Sequence, residues 1–252
     1  MVRASLAVAT AFAGLLPAGA ARAHIIYATD FEPGAYVAGP IEGQDLWTDT
    51  PGNPFRVSPA SPIADAYSLR LNAADIALGG GSVLTRETMQ IGVEPVPGMM
   101  ILNLSTLLRI ENADAGSNPA ITIEYGWTAG LATFRVTPFS ITLRSAFTGE
   151  VFATTTPAGT LDLLAEIDLL TGVFTGYVNG QAFGTTTLPT DQLQNQEDMS
   201  GVRVTGSVSG PASYPQVFVL DSMMLRHIVP APGAASLAAA GCVAALRRRR
   251  FR

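Results

Sequence analysis

The chain contains no lysine, one cysteine and two histidines, and aromatic residues make up only 8% of its 252 positions. Each scarcity removes a class of function. The lone thiol, Cys242, lies in an apolar C-terminal segment, so no intramolecular disulfide can staple the rest of the chain. Stability must come from a buried core, and 48% apolar residues suffice for one and exclude a disordered chain. Every basic residue is arginine. Between residues 24 and 229, 8 arginines oppose 20 carboxylates, a balance of −12. Phosphate recognition needs basic side chains and counterion release, so no nucleic acid is expected as a partner. His24 and His227 stand close to the two ends, and they lack zinc-ligand spacing.

The ends read as processing segments. Arg3, an apolar stretch from Leu6 to Leu16 and the Ala21-Arg22-Ala23 site make a secretory signal peptide over residues 1–23. Cleavage after Ala23 by signal peptidase would leave His24 first. The apolar run is shorter than the ~20 residues a membrane span needs. At the other end, residues 229–252 hold Val229-Pro230-Ala231-Pro232, an Ala-rich segment to Leu246, and the cluster Arg247, Arg248, Arg249, Arg250. A short apolar segment followed by arginines is a weak anchor held with its tail inside, a transient inner-membrane intermediate.

This tail resembles the PEP-CTERM sorting signal of Gram-negative bacteria, though the family's usual Glu between the prolines is Ala231 here. The resemblance covers residues 229–252 only. It implies an exosortase-like processing enzyme as partner and a destination at the cell surface, outer membrane or extracellular biofilm matrix. A plain C-terminal anchor is the alternative.

Residues 24–228 read as one all-β domain. Alternating, β-branched runs recur at Ile25–Asp30, Tyr67–Leu71, Met99–Ile110, Ala120–Trp127, Ser140–Ser145, Leu161–Asp168, Val173–Val178, Val202–Gly206 and Gln216–Arg226. Turn residues separate them, and one or two helical turns are expected near Thr190–Asp198. Strands at this spacing without helices mean a sandwich or barrel. The pair of runs over Leu161–Val178 turns at Thr171-Gly172 and ends on Asn179-Gly180, a strong hairpin signal because both residues tolerate positive φ. This hairpin, with Thr29-Asp30-Phe31-Glu32 at the start and Val219-Leu220-Asp221-Ser222 at the close, resembles laminin-G and concanavalin A-like jelly rolls. The expected fold is a single jelly-roll β-sandwich.

Chemistry is sparse. Gly206-Ser207-Val208-Ser209-Gly210 fails as a nucleophile elbow because its centre is Val208. Glu166-Ile167-Asp168 resembles the catalytic strand of retaining β-glucanases, but Thr171 occupies the acid/base position, and without a proton donor that mechanism is disabled. Carbohydrate-binding jelly rolls often hold calcium between first and last strands, which here implicates Asp30, Glu32 and Asp221 as ligands of a structural ion. The alternative is that those carboxylates are ordinary strand-end residues facing water. Trp47, flanked by Gln44 and Asp45 in the Pro- and Gly-rich loop 33–62, is the candidate for stacking on a sugar, with burial in the core as the alternative. Trp127 reads as core.

These features imply an exported, non-catalytic, lectin-like β-sandwich whose partner is extracellular polysaccharide. The rivals are a structural surface protein without a small ligand and a divergent glycoside hydrolase.

Overall fold

The computed structural model describes residues 22–45, 47–49, 55–75, 82–91, 101–112, 118–125, 131–145, 148–190, 199–209 and 216–229. Ala23–Val229 form one compact unit. Two sheets build it. The first runs in the order β14 (Gln181–Thr187), β13 (Val173–Val178), β12 (Thr160–Asp168), β7 (Ile101–Glu111), β16 (Val217–Val229), β5 (Ser68–Asn72), β4 (Arg56–Ser58) and β2 (Gly39–Pro40), with β1 (Arg22–Thr29) also pairing with β16. The second runs β11 (Val151–Thr155), β10 (Ser140–Ser145), β9 (Ala132–Val136), β8 (Asn118–Tyr125), β15 (Met199–Ser209), β6 (Ser82–Ile91) and β3 (Trp47–Asp49). The registers from β7 to β12 and β16, and from β15 to β6 and β8, are antiparallel.

Alternation decides which face each residue takes, because successive strand side chains point oppositely. On β12, Leu161, Leu163, Ala165 and Ile167 are buried, while Asp162, Glu166 and Asp168 point outward. Leu102, Leu104 and Leu108 of β7 join them, and Ile121, Ile123, Phe134, Val136, Val202 and Val204 of the second sheet close the same core cluster. Tyr125 spans the gap: its hydroxyl donates to the Ser105 carbonyl at 2.8 Å. Complete burial pushes that phenol's pKa upward.

The strands expected from sequence all appear, and β2, β3, β4, β6, β9, β11 and β14 add to them. Asn179 (φ 51°) and Gly180 (φ 75°) form the foreseen two-residue turn between Val178 and Gln181. At the other turn Asp168 Oδ1 accepts from the amides of Leu170 and Thr171, and Gly172 adopts φ 74°. Residues 191–198 of the expected helix, and Trp127, lie outside the described residues.

Two departures from regular pairing matter. On β16 the register slips between Leu220, opposite Leu108, and Met223, opposite Thr106, so one extra residue enters there. The β4–β5 connection also lies across the outer face of the first sheet, above buried Val219. Arg70 donates to the Ala60 carbonyl at 2.6 Å, and Arg109 donates to the Ser61 and Pro62 carbonyls. Glu111 joins both arginines, at 2.5 Å and 2.9 Å. Burial opposes ionisation of Glu111, but the two guanidinium groups outweigh it and hold its carboxyl below the usual range.

Gly176 and Gly184 face each other across β13 and β14. A side chain at Gly184 would run into the Phe152 ring of the second sheet, and one at Gly176 would meet Leu143. Gly184→Val is therefore expected to lower stability by about 1–3 kcal/mol, the usual cost of overpacking. Urea unfolding measures it, and an unchanged midpoint would contradict this packing.

Candidate functional site

Three groups of polar residues fall where the sequence placed chemistry. The first surrounds Tyr36. Its hydroxyl lies 2.8 Å from Thr29 Oγ1, donates to Asp45 Oδ2 at 2.8 Å and accepts from Trp47 Nε1 at 3.1 Å. Burial, supplemented by the Asp45 charge, outweighs the Thr29 and Trp47 hydrogen bonds and pushes the phenol's pKa up to about 12. Gln44 uses its carboxamide inside the loop, accepting from the Val37 amide at 2.7 Å and donating to the Val37 and Pro40 carbonyls. Trp47 is 1% exposed, with its ring 6.2 Å from Phe31 in a stacked arrangement. The structure brings Trp47, Gln44 and Asp45 together as foreseen, but as the fastening of a loop. The sugar-stacking role of Trp47 is corrected, because neither face of a buried indole can meet a pyranose.

The second group holds the expected calcium ligands. Asp30 Oδ1 accepts from the Glu32 amide at 3.2 Å in a local turn. Glu32 accepts from the amides of Ala66 and Tyr67, at 3.0 to 3.1 Å. Asp221, at the β16 irregularity, accepts from the Ala64 amide at 2.7 Å and from Ser68 Oγ at 3.2 Å. Glu32 and Asp221 thus clasp the same loop while Asp30 stays with its own turn. Among the described residues no three His, Cys, Asp or Glu side chains are grouped to hold a metal. Each of the three expected calcium ligands instead gives at least one carboxylate oxygen to a backbone amide.

The third group lies on the outer face of the first sheet. Cross-strand registers place Arg226 (β16) beside Asn103 (β7), Asn103 beside Glu166 (β12), and Glu166 beside Thr175 (β13). Thr175 in turn contacts Thr185 of β14, hydroxyl to hydroxyl, at 3.2 Å. Asn103 is only 4% exposed, yet its Oδ1 has no hydrogen-bond partner, and neither has the buried Nε of Arg226. Only Glu166 of this row was singled out from sequence. Asn103 and Arg226 are 123 positions apart and carry no local signal of proximity. A separate shallow recess of about 290 Å³ lies at one end of the sandwich, lined by Ile110, Pro138, Pro157 and Leu161 among others. It contains no charged side chain.

Of the processing residues, Ala23 and His24 fall in β1 and Val229 ends β16. Pro230, Pro232 and Arg247–Arg250 lie outside the described residues. Among the described residues no helix is long and apolar enough to cross a membrane.

No family model matches the chain, and no curated protein matches it. Solved structures share its fold. It is similar to the conserved carbohydrate esterase of Shiga toxin-encoding bacteriophage phi24B, with TM-score 0.56 and 12% identity over 82% of this chain and 99% of that one. It is also similar to the binding domain of botulinum neurotoxin DC, solved in complex with rat synaptotagmin II, with TM-score 0.50 and 7% identity. That match covers 80% of this chain and about half, 47%, of the toxin fragment. These likenesses define the class, a two-sheet β-sandwich. The first also corrects the expectation of a non-catalytic chain: the same fold is borne by an esterase, so the missing glucanase acid does not exclude catalysis.

The acidic clasp generates a pH prediction. Asp221 is 1% exposed, and burial raises its carboxyl pKa above the usual value, with Glu32 and Asp65 adding to the rise. The Ala64 and Ser68 hydrogen bonds only partly offset this. A raised native pKa means the folded chain holds the proton more tightly. The contribution is therefore fully present below the unfolded-state value of about 3.9 and is lost as pH rises through the native value. Asp221→Asn keeps the shape and an acceptor oxygen without the charge. Its melting temperature should exceed the parent's at neutral pH, and the gap should close on acidification. Parallel profiles would contradict the assignment.

Proposed function

We infer that this chain is an exported β-sandwich protein, of jelly-roll type, that contacts carbohydrate at the cell surface or in the extracellular matrix. The observation that carries the reading is the fold shared across 82% of the chain with a protein described as a carbohydrate esterase. The body's balance of −12 supports a neutral glycan over an anionic one. Residues 1–23 support export through signal peptidase. The Pro-x-Pro, apolar and arginine pattern of residues 229–252 supports transient inner-membrane anchoring and an exosortase-like enzyme. A second reading, hydrolysis of a carbohydrate ester, is favoured by the same likeness.

The test is an array of polysaccharides probed with the purified protein, with calcium and with chelator. Saturable binding is expected in both conditions, because Glu32 and Asp221 are already held by backbone amides. A flat array overturns the carbohydrate reading. Acetate released from acetylated polysaccharide by the same preparation would establish the second reading. Export has its own readout. Mass spectrometry of protein recovered from the envelope of a Gram-negative host should find His24 at the N-terminus, and a retained Met1 would count against it.

A further inference from the structure

Among the described residues, every tyrosine, the tryptophan and every phenylalanine but one is buried or half-buried. The exception is Phe139, 59% exposed in the turn between β9 and β10. In a chain with only 8% aromatics, leaving a ring in water forgoes a large apolar burial. The turn that carries it is firmly held. Thr137 Oγ1 accepts from the amides of Phe139 and Ser140, at 3.2 and 2.9 Å, and the Thr137 amide donates to the Ser140 carbonyl at 2.9 Å. The connection from β11 to β12 then ties the turn from outside. Thr156 donates its hydroxyl to the Thr137 carbonyl at 2.8 Å and its amide to the Phe139 carbonyl at 3.2 Å. An exposed ring on so fixed a backbone is a pre-organised contact surface, because little backbone ordering remains to be lost when something packs on it.

The same turn and the same connection wall the recess of about 290 Å³. Pro138 lines it from the turn, Thr156 and residues 157–159 line it from the connection, and Ile110 and Leu161 complete it from the first sheet. Phe139 stands next in sequence to one wall and is hydrogen-bonded through its carbonyl to the other. Residues 157–159 are exposed, as the ring is, so a chain running over this end of the sandwich reaches both, which it could not do at the buried Trp47. Most of the recess surface is polar although no lining side chain is charged, so its polarity comes from peptide groups and the Thr156 hydroxyl. Such groups match neutral hydroxyls, whereas a carboxylate or phosphate would lose its water without meeting a cation. The recess lies near the lower limit of the about 300–1,000 Å³ that small-ligand sites span, which suits one sugar ring. A protein partner needs roughly 800 Å² of contact on each side, which one ring beside a small recess does not supply.

We propose that the Phe139 turn and the adjoining recess form a subsite for one neutral sugar unit of a polysaccharide. The exposed ring packs on the apolar C–H face of a pyranose, and the uncharged groups of the recess take its hydroxyls. This rests on the carbohydrate reading and adds the site and the ligand class to it.

The experiment measures binding of the full protein to laminarin, xylan, dextran and galactomannan, with alginate as an anionic comparison and sedimentation of the protein alone to detect self-association. Parent, Phe139→Ala, Phe139→Tyr and Ala158→Trp are compared, each with its melting temperature. Phe139 and Ala158 are exposed, so all four melting temperatures should agree. At least one neutral polysaccharide is expected to bind saturably. Phe139→Ala removes the ring and Ala158→Trp fills the recess, so each should weaken that binding tenfold or more, while Phe139→Tyr should stay within twofold of the parent. Binding that Phe139→Ala and Ala158→Trp both retain within twofold overturns this subsite and leaves the carbohydrate reading standing. Weakening by only one of them overturns the part of the subsite that the other tests. A parent that self-associates, and that Phe139→Ala makes monomeric without weakening polysaccharide binding, overturns the stacking and makes the ring a contact between copies. Binding to alginate alone overturns the neutral ligand, and no binding to any polysaccharide overturns both the subsite and the reading beneath it.

Discussion

One extra residue in β16 is the constraint on which much of the first sheet depends. Side chains alternate with a period of two, so a strand that pairs along its whole length keeps one face inward throughout. β16 is thirteen residues long. It runs beside β7 along nearly its whole length, pairs with β5 at Val217–Leu220 and also pairs with β1. The bulge lets Phe218 and Leu220 before it, and Met223 and Leu225 after it, all enter the core. Without it one set would face outward. The residue following Leu220 is Asp221, buried and tied to the chain before β5. The same short stretch is held by Glu32, so the bulge, the segment after the first strand and the β4–β5 connection are tied together.

The aromatic cluster lies beside these segments, since the Tyr36 amide donates to the Glu32 carbonyl. Trp47 is not left on the surface for a ligand. Phe31, Tyr36 and Trp47 instead pack together, with Phe31 5.3 Å from Tyr36 and 6.2 Å from Trp47. Tyr36 supplies the polar tip that satisfies the indole N–H, which is what allows that indole to be buried.

These two corners explain what could be read from the sequence. Long strands with strict alternation, such as those at Leu161 and Gln216, were legible because their pattern is local. So was the Asn179-Gly180 turn, since positive φ is a property of those residues themselves. β9, β11 and β14 are short or rich in Thr, Ala and Gly, and their strand character comes from neighbours that complete the sheet. Trp47 was ambiguous because its loop contains prolines and glycines, the signature of exposure, while its packing partner Phe31 comes from another segment. Asp221 reads as a strand-end carboxylate facing water, yet it lies inside β16 and is 1% exposed, because a carboxylate's type says nothing about whether a backbone amide has already claimed it. Asn103 and Arg226 were invisible for the strongest reason: their relation exists only in the register of strands that are distant in sequence.

That register also bears on what chemistry this face can perform. Glu166 and Asp168 share the outer face of β12, as the glucanase resemblance requires, yet Asp168 spends one oxygen capping the turn at Leu170 and Thr171. The strand pair is therefore not two free carboxylates but one, with a turn anchor beside it. What distinguishes the face is the order of residues across it. Arginine next to glutamate closes on itself, as at Arg203 and Glu124. Interposing an asparagine on β7 instead holds Arg226 and Glu166 one strand further apart than that pair.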